Sequence, residues 1–396
     1  MKLLWFVSSL EQMGGGERFV LEAVRAIRAT GHDVVIVCDR LEEAASFDGR
    51  YDLSQVVCLE RGMDGRVGYI GRAFTKFLGF FSLLAAAREI RPDLIMCQSE
   101  FDAIKVRFVS SFLGCRYRVF VFGQMFQFKT DISKYSTVFR HHLEAIVTSR
   151  PGYRDTVTLP PPRLSLIVFF VNEVVSRLKF AALHRADKVF SLSNQVQWEV
   201  SLLYKRDAAV VRAAIDETYI DEAALCAPSP VGRPVRFLSV CRLVDKKRVD
   251  TIIRGFDASG VDGVLNIVGV GPEAARLHSL AQTCSARDSI RFLGAIDDKQ
   301  LALELNAADC FVSLDIGDFD ITVVEAMGKG RRVIVAEDFD MSTFGEDFDG
   351  VVVTSPVTDS VAEAMRGVRT MPHPSSRNLV ALRKLTWQWL ASECVR

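Results

Sequence analysis

Residues 310–336 read CFVSLDIGDFDITVVEAMGKGRRVIVA. An apolar run, CFVSLD, gives way to a loop of acids and glycine. ITVVEAMGKG follows, and then a second apolar run, RVIVA. The order is strand, loop, helix, strand, and two strands joined through a helix belong to a parallel sheet with covered faces. The stretch 313–330 holds four acids, three of them within six residues. Val-Val-Glu-Ala-Met-Gly reads as a helix start, with Glu325 in its first turn, where the macrodipole favours a carboxylate.

The same alternation runs outward in both directions. LLWFV, then a triple glycine, then ERFVLEAVRAIRATG repeat strand, turn and helix, with Phe19, Val20, Ala23, Val24 and Ile27 at helical spacing. DVVIVCD, AAAREIRPDLIMCQ, YRVFVFGQ, RADKVFSLS and AAVVRAAI continue the series. DETYIDEAALCAPSPVGRP, residues 216–234, breaks it with three prolines, acids and small residues, and reads as an interdomain linker. A second series then runs from RFLSVCRL to GVVV. After HPSS, NLVALRKLTWQWLASEC reads as one last helix. The expected organisation is a Rossmann-like domain over 1–215, the linker, a second Rossmann-like domain over 235–375 and a terminal helix over 376–396. In such open α/β sheets ligands sit beyond the carboxyl ends of the strands, so the loops that follow strands matter most.

The chain of 396 residues is 49% hydrophobic and 25% charged, enough for large cores and against disorder. Its formal net charge is zero, which argues against nucleic acid as the main partner but not against a nucleotide. Nine cysteines without a C-x-x-C pair, and no recognisable secretory signal, read as reduced thiols of a cytoplasmic protein. Cys38, Cys97, Cys241 and Cys310 lie in apolar runs and read as core. MKLLWFVSS is too short for a signal peptide and reads as the first strand. FLGFFSLLAAA (77–87) and LSLIVFFVNEVVSRLKF (164–180) are greasy but short of a membrane span. They read either as buried helices or as a surface touching a membrane peripherally, since Arg66, Arg72 and Lys76 flank the first.

Four loops could carry chemistry. Gly14, Gly15 and Gly16 precede the first helix, where free N–H groups favour an anion, although the G-x-G-x-x-G spacing is absent. CRLVDKKRVD (241–250) offers Arg242 as a planar fork and Lys247 as a point charge, a pair suited to a diphosphate or simply a solvated basic turn. In IVGVGPE, Gly269 and Gly271 follow a strand, either as turn chemistry or as room for a base or ribose. Glu325 is either a cap-like acid or an acceptor for a ribose diol.

CRLVDKKRVD, IVGVGPE, RFLGAI and GDFDITVVEAMGKGRRVIVA follow one another in the order and spacing of one family. The sequence resembles the retaining, nucleotide-sugar-dependent glycosyltransferases of family 4. The match covers most of residues 236–336, and GGGERF and ADKVFSLS resemble the family more loosely. The resemblance implies the GT-B fold, with two Rossmann-like domains facing across a cleft. The first would bind a glycan or lipid-linked acceptor and the second a UDP- or GDP-sugar. It implies that Arg242 and Lys247 clamp the donor diphosphate, that Glu325 holds the ribose, and that Gly15 and Gly16 lie under the phosphates and the acceptor. Gly269, Gly271, Asp320, Ile321 and Thr322 join the donor-binding set. The last helix, with Trp387 and Trp389, resembles the segment that returns to the first domain.

The departures are specific. The first Glu of the E-x7-E motif falls on Gly317, and the two glycines around Phe319 are Asp318 and Asp320. Asp318 is the first substitute for the missing acid, with Asp315 and Asp320 behind it. Where the family often carries a His after a strand, FVFGQMF places Gln124, which can exchange hydrogen bonds but not act as a base. The expected catalytic set is therefore Asp318, Gln124 and Glu325. No metal or other cofactor is expected, although Asp318-Phe319-Asp320 matches an Asp-x-Asp pattern. Three functions remain: an active hexosyltransferase, a degenerate binding or scaffold protein that lost turnover through Gly317 and Gln124, or another nucleotide-sugar enzyme such as a GT-B epimerase.

Overall fold

A computed structural model describes residues 1–11, 14–42, 49, 51–59, 69–122, 130–131, 157–158, 166–212, 214–226, 234–315, 319–337 and 348–396. Side chains of 69–78, 130–131, 157–158, 166–169 and 172 lie outside that description. The chain divides into two compact units, Met1–Arg212 with Ala391–Arg396, and Ala213–Leu390.

The first unit runs β1 (Lys2–Leu10), α1 (Gly15–Ala29), β2 (Asp33–Leu41), β3 (Val57–Cys58), α2 (Tyr69–Ile90), β4 (Leu94–Gln98), α3 (Glu100–Leu113) and β5 (Arg116–Val121). A short parallel pair follows, β6 (Thr130–Asp131) and β7 (Val157–Thr158), then α4 (Leu166–Arg185), β8 (Lys188–Ser191), α5 (Asn194–Tyr204) and β9 (Ala209–Val210). Seven strands form one sheet in the order β3-β2-β1-β4-β5-β8-β9, and every pairing is parallel. A sheet covered on both faces demands continuous apolar strands. Leu3 to Val7 meet this demand and are all buried. Trp5 stacks on Phe120, with centroids 5.8 Å apart, at the centre of the sheet.

The second unit runs α6 (Glu222–Cys226), β10 (Val235–Val240), α7 (Val249–Ser259), β11 (Gly263–Val268), α8 (Ala274–Thr283), β12 (Ile290–Gly294), α9 (Asp298–Ala307) and β13 (Cys310–Ser313). It closes with α10 (Ile321–Gly328), β14 (Arg332–Ala336), β15 (Val351–Thr354), α11 (Thr358–Gly367), α12 (Ser376–Leu382) and the start of α13 (Trp387–Val395). Its six parallel strands lie in the order β12-β11-β10-β13-β14-β15. Counted within the unit this is 3-2-1-4-5-6, the doubly wound dinucleotide-binding order, whose switch point lies between β10 and β13. Both α/β readings hold.

Two boundaries differ from expectation. The described part of 216–234 is folded rather than a linker. It forms a 3₁₀ turn at Glu217–Tyr219 and α6, and the Asp221 N–H donates to the Gly328 carbonyl at 2.9 Å. Small residues on α10 let it dock: a Cβ on Gly328 would stand 2.6 Å from the Tyr219 oxygen. The single terminal helix is two helices, α12 and α13, and between them the Ile215 N–H donates to the Leu385 carbonyl. Among the described residues no helix is long and apolar enough to cross a membrane.

Candidate functional site

The carboxyl end of β10 leads into Cys241–Arg248, and that of β13 into Leu314–Asp320. These two loops flank the switch point of the second sheet. The first turns through a 3₁₀ segment, Asp245–Lys247, and Arg248 then takes a left-handed conformation, φ 50°. That backbone shape costs an L-residue such as arginine roughly 1 kcal/mol or more.

Lys247 crosses the switch point. Its Nζ lies 2.5 Å from Asp315 Oδ2. Burial pulls the ammonium down, but the Asp320 and Asp315 carboxylates and the Asp315 hydrogen bond outweigh it and hold Lys247 above its ordinary value. Asp315 is 4% exposed, and its other oxygen, Oδ1, is buried without a hydrogen-bond partner. Burial pushes its carboxyl up, and Lys247 pulls it back. The pair is a charged bridge, with one acceptor atom left over. Cys241 beside it is half-buried rather than core, and burial pushes its thiol up to about 12.

Asp320 has a different task. Its Oδ1 accepts the Thr322 N–H at 3.0 Å, and the Ser313 hydroxyl donates to its Oδ2 at 3.0 Å. It is the N-cap of α10. This moves Glu325 from the expected first turn to the fifth helical residue, where it is completely buried. Ile321 and Thr322 open the helix, the first buried and the second half-buried. Asp318, Gly317 and Gln124 lie outside the described residues.

Gly269 and Gly271 are glycine for an internal reason. Gly269 has φ +131°, and a Cβ there would stand 1.9 Å from the Cys241 carbonyl oxygen. One on Gly271 would stand 2.2 Å from that of Leu243. The β10 and β11 loops interlock through these approaches, with Leu243 N–H donating to the Val270 oxygen at 3.0 Å. The turn reading accounts for both residues, and Arg242, which is exposed, is presented by the loop they support.

Gly15 and Gly16 contrast with them. They are the first residues of α1, behind a Gly14 N-cap that offers no side-chain cap. A Cβ on either would meet nothing within 4 Å. Gln98 Nε2 donates to the Gly16 carbonyl at 3.2 Å.

Sequence reasoning missed a polar cluster at the switch point of the first sheet, between β1 and β4. The Ser8 hydroxyl donates to Asp102 Oδ1, and Lys105 Nζ lies 2.5 Å from Asp39 Oδ2. Asp39 Oδ1 is buried without a hydrogen-bond partner. Burial pushes the Asp102 carboxyl up to about 7, against the Ser8 hydrogen bond and the Lys105 charge. Ser99, just after β4, has φ 85° and ψ 151°, a region essentially reserved for glycine. Its hydroxyl accepts the Asp102 N–H at 3.2 Å, so the S-x-x-D spacing of 99–102 was the available signal. Among the described residues no three His, Cys, Asp or Glu side chains are placed to hold a metal ion.

Comparison with known proteins places these loops in a family. The profile described as Glycosyltransferase Family 4 matches residues 13–218, and that described as Glycosyl transferases group 1 matches 228–380. A Salmonella typhimurium protein named as a colanic acid biosynthesis glycosyltransferase, WcaL, is 31% identical over 136 residues. The alignment spans 32% of this chain and 33% of that relative. Among solved structures, sucrose-phosphate synthase of Thermosynechococcus elongatus superposes with a TM-score of 0.72 at 16% identity, over all of this chain and 98% of its own. Anabaena HepE in complex with UDP gives 0.69 at 14%, and the lipopolysaccharide outer core galactosyltransferase WaaB 0.68 at 12%, each with the same coverage. With the first profile spanning more than half of its length and two doubly wound sheets in the GT-B manner, the chain belongs to glycosyltransferase family 4.

Proposed function

We propose that the protein is a retaining glycosyltransferase that moves a hexose from a UDP- or GDP-sugar to a glycan or lipid-linked acceptor. The observation that carries this reading is Lys247, whose ammonium reaches Asp315 at the switch point from the loop that also carries the exposed Arg242. Two cations there offset the charge that develops on a departing diphosphate. Arg242 supplies the fork and Lys247 the point charge. Glu325 holds the ribose. Asp318, or Asp315 through its spare oxygen, takes a hydroxyl of the transferred sugar. Gly15 and Gly16 let the acceptor side approach the α1 backbone, and Gln124 orients the acceptor. The diphosphate itself takes the acceptor proton, and no metal enters. UDP in HepE supports a uridine donor by analogy. The protein works in the cytoplasm, with peripheral contact to the membrane.

A second reading has two specific supports. Asp315 already neutralises Lys247, and Gly317 replaces the motif's first acid, which suits a degenerate scaffold. A thermal-shift panel separates the two, with UDP, GDP, ADP and their hexose conjugates on wild type, Arg242→Ala and Asp315→Asn. Ligand at a hundred times its Kd adds about 2.7 kcal/mol to stability. The transferase reading expects a shift with one nucleotide family, lost in Arg242→Ala and enlarged in Asp315→Asn, with slow release of free sugar from the conjugate. No shift with any nucleotide sinks donor binding. Binding without release supports the scaffold.

A further inference from the structure

Helices α2, α3 and α4 carry most of the exposed large hydrophobic side chains described in the first unit. Their crossovers, β3 to β4, β4 to β5 and β5 to β8, all advance the same way along the sheet. Right-handed connections therefore put all three helices on one face, and α3 packs against both neighbours. Their inner sides are core: Leu83, Ala103, Val106 and Leu183 have no exposure at all. Their outer sides are not polar. Phe81 on α2 is 53% exposed, and on α3 Phe101 is 57%, Phe108 40% and Phe112 60%. On α4, Phe170 is 67% and Leu178 41% exposed. Every exposed phenylalanine among the described residues lies on these three helices. Single exposed apolar residues need no explanation, but five exposed phenylalanines on three neighbouring helices do.

A groove of about 460 Å³ opens in this face. Phe80, Ile104, Phe108 and Leu178 line it, with Arg107 and Ser111. The Ser111 hydroxyl folds back on its own helix, donating to the Arg107 carbonyl at 2.8 Å. The neighbouring cations Lys179 and Arg177 are paired, with Glu100 and Glu173. Arg107 forms no ion pair among the described residues. Its cation stands at the wall of an apolar groove, an arrangement that fits an amphiphile with a hydrocarbon chain and an anionic head.

Charge names the occupant. Leaving aside Lys105 and Asp102 of the polar cluster, the described side chains of the three helices hold five Lys and Arg (Arg88, Arg107, Arg177, Lys179, Arg185) against three Glu (Glu89, Glu100, Glu173), in a chain whose formal net charge is zero. Protruding aromatic side chains interleaved with a basic excess match the interface of a negatively charged bilayer. We propose that this face docks on an anionic phospholipid bilayer, with one acyl chain in the groove and its phosphate on Arg107. The inference rests on the peripheral-contact reading above and gives it a surface and a lipid class.

Co-sedimentation with phosphatidylcholine–phosphatidylglycerol vesicles tests it, with phosphatidylcholine vesicles as control and no donor or acceptor present. Failure therefore leaves the transferase reading standing. Wild type is expected on the anionic vesicles and not on the neutral ones. Phe112→Ser/Phe170→Ser, changed where the side chains are already exposed, is expected to bind at least about tenfold more weakly. Arg107→Gln is expected to bind about fivefold more weakly. Matching thermal unfolding certifies that the variants are folded. No sedimentation with either vesicle, or equal sedimentation with both, overturns the proposal. So does a concentration-dependent dimer that the double variant abolishes, without vesicle binding, because the face then belongs to a second copy of the chain.

Discussion

Asp102 shows what a single buried acid does to the first unit. It is 5% exposed, and burial raises its carboxyl to about 7, while the same group in an unfolded chain titrates near ~3.9. Between those values the folded protein holds a proton that the unfolded chain has released. Stability therefore falls as pH rises through this window, by at most about 1.4 kcal/mol per pH unit, and levels off above about pH 7. Below the unfolded value the term vanishes. Asp102→Asn keeps an acceptor for the Ser8 hydroxyl and removes the titration. Urea unfolding of wild type and variant across this range is expected to give a sloping and a flatter profile, with the variant the more stable at about pH 8. Parallel profiles would mean that Asp102 titrates like an exposed acid. Lys247 and Asp315 show the complementary case. There burial pushes the Asp315 carboxyl up, while the carboxylates of Asp320 and Asp315 raise the Lys247 ammonium above its ordinary value, so the switch point of the second sheet keeps its cation at neutral pH.

At the scale of elements, the glycines fall into two kinds, and substitution separates them. Gly269 sits where a Cβ would run into the Cys241 carbonyl at a φ of +131°. Gly269→Ala is expected to cost about 3 kcal/mol or more, from overlap and backbone strain together. Gly16, inside α1 with open space around it, should gain up to about 1 kcal/mol of stability as alanine, because helix propensity rises. If a substrate approaches that backbone, turnover drops while the melting temperature does not. Thermal unfolding and donor hydrolysis on the two variants check both halves, and a destabilised Gly16→Ala would refute the open-space argument. The sequence pattern made most of the elements legible, because parallel strands buried on both faces are continuous apolar runs such as Leu3–Val7. The caps were less so. Asp320 reads as a donor-site acid until Thr322 and Ser313 are seen to donate to it, and its cap starts the helix two residues earlier, so that Glu325 falls fifth rather than third. The tie between Lys247 and Asp315 spans 68 residues of sequence, and no local pattern announces it. The Ser8–Asp102 contact spans 94 and was missed altogether.

On the scale of the molecule, the chain ends in the unit where it began. Ala391–Arg396 belong to the first unit, although α13 starts in the second. The attachment is polar as well as apolar. Arg118, on β5 and 1% exposed, donates through Nε to Asp187 Oδ2 at 2.9 Å and through Nη1 to the Cys394 carbonyl at 2.5 Å. Ala391 and Cys394 are fully buried beside it. Truncation after Leu390 would leave a guanidinium in the interior with one partner fewer and open a path for water. A hydrogen bond to a charged group is worth roughly 1.5–3 kcal/mol, and a buried charge stripped of a partner costs more. The truncated chain is expected to lose about 3 kcal/mol in the first unit, read as faster amide exchange along β5 and β8 than in the full chain. Arg118→Met in the truncated chain removes the stranded charge and should recover part of that protection. If exchange along β5 is unchanged on truncation, the terminal segment is not part of the first core. If Arg118→Met brings no recovery, packing of α13 rather than the guanidinium holds the chain end in place.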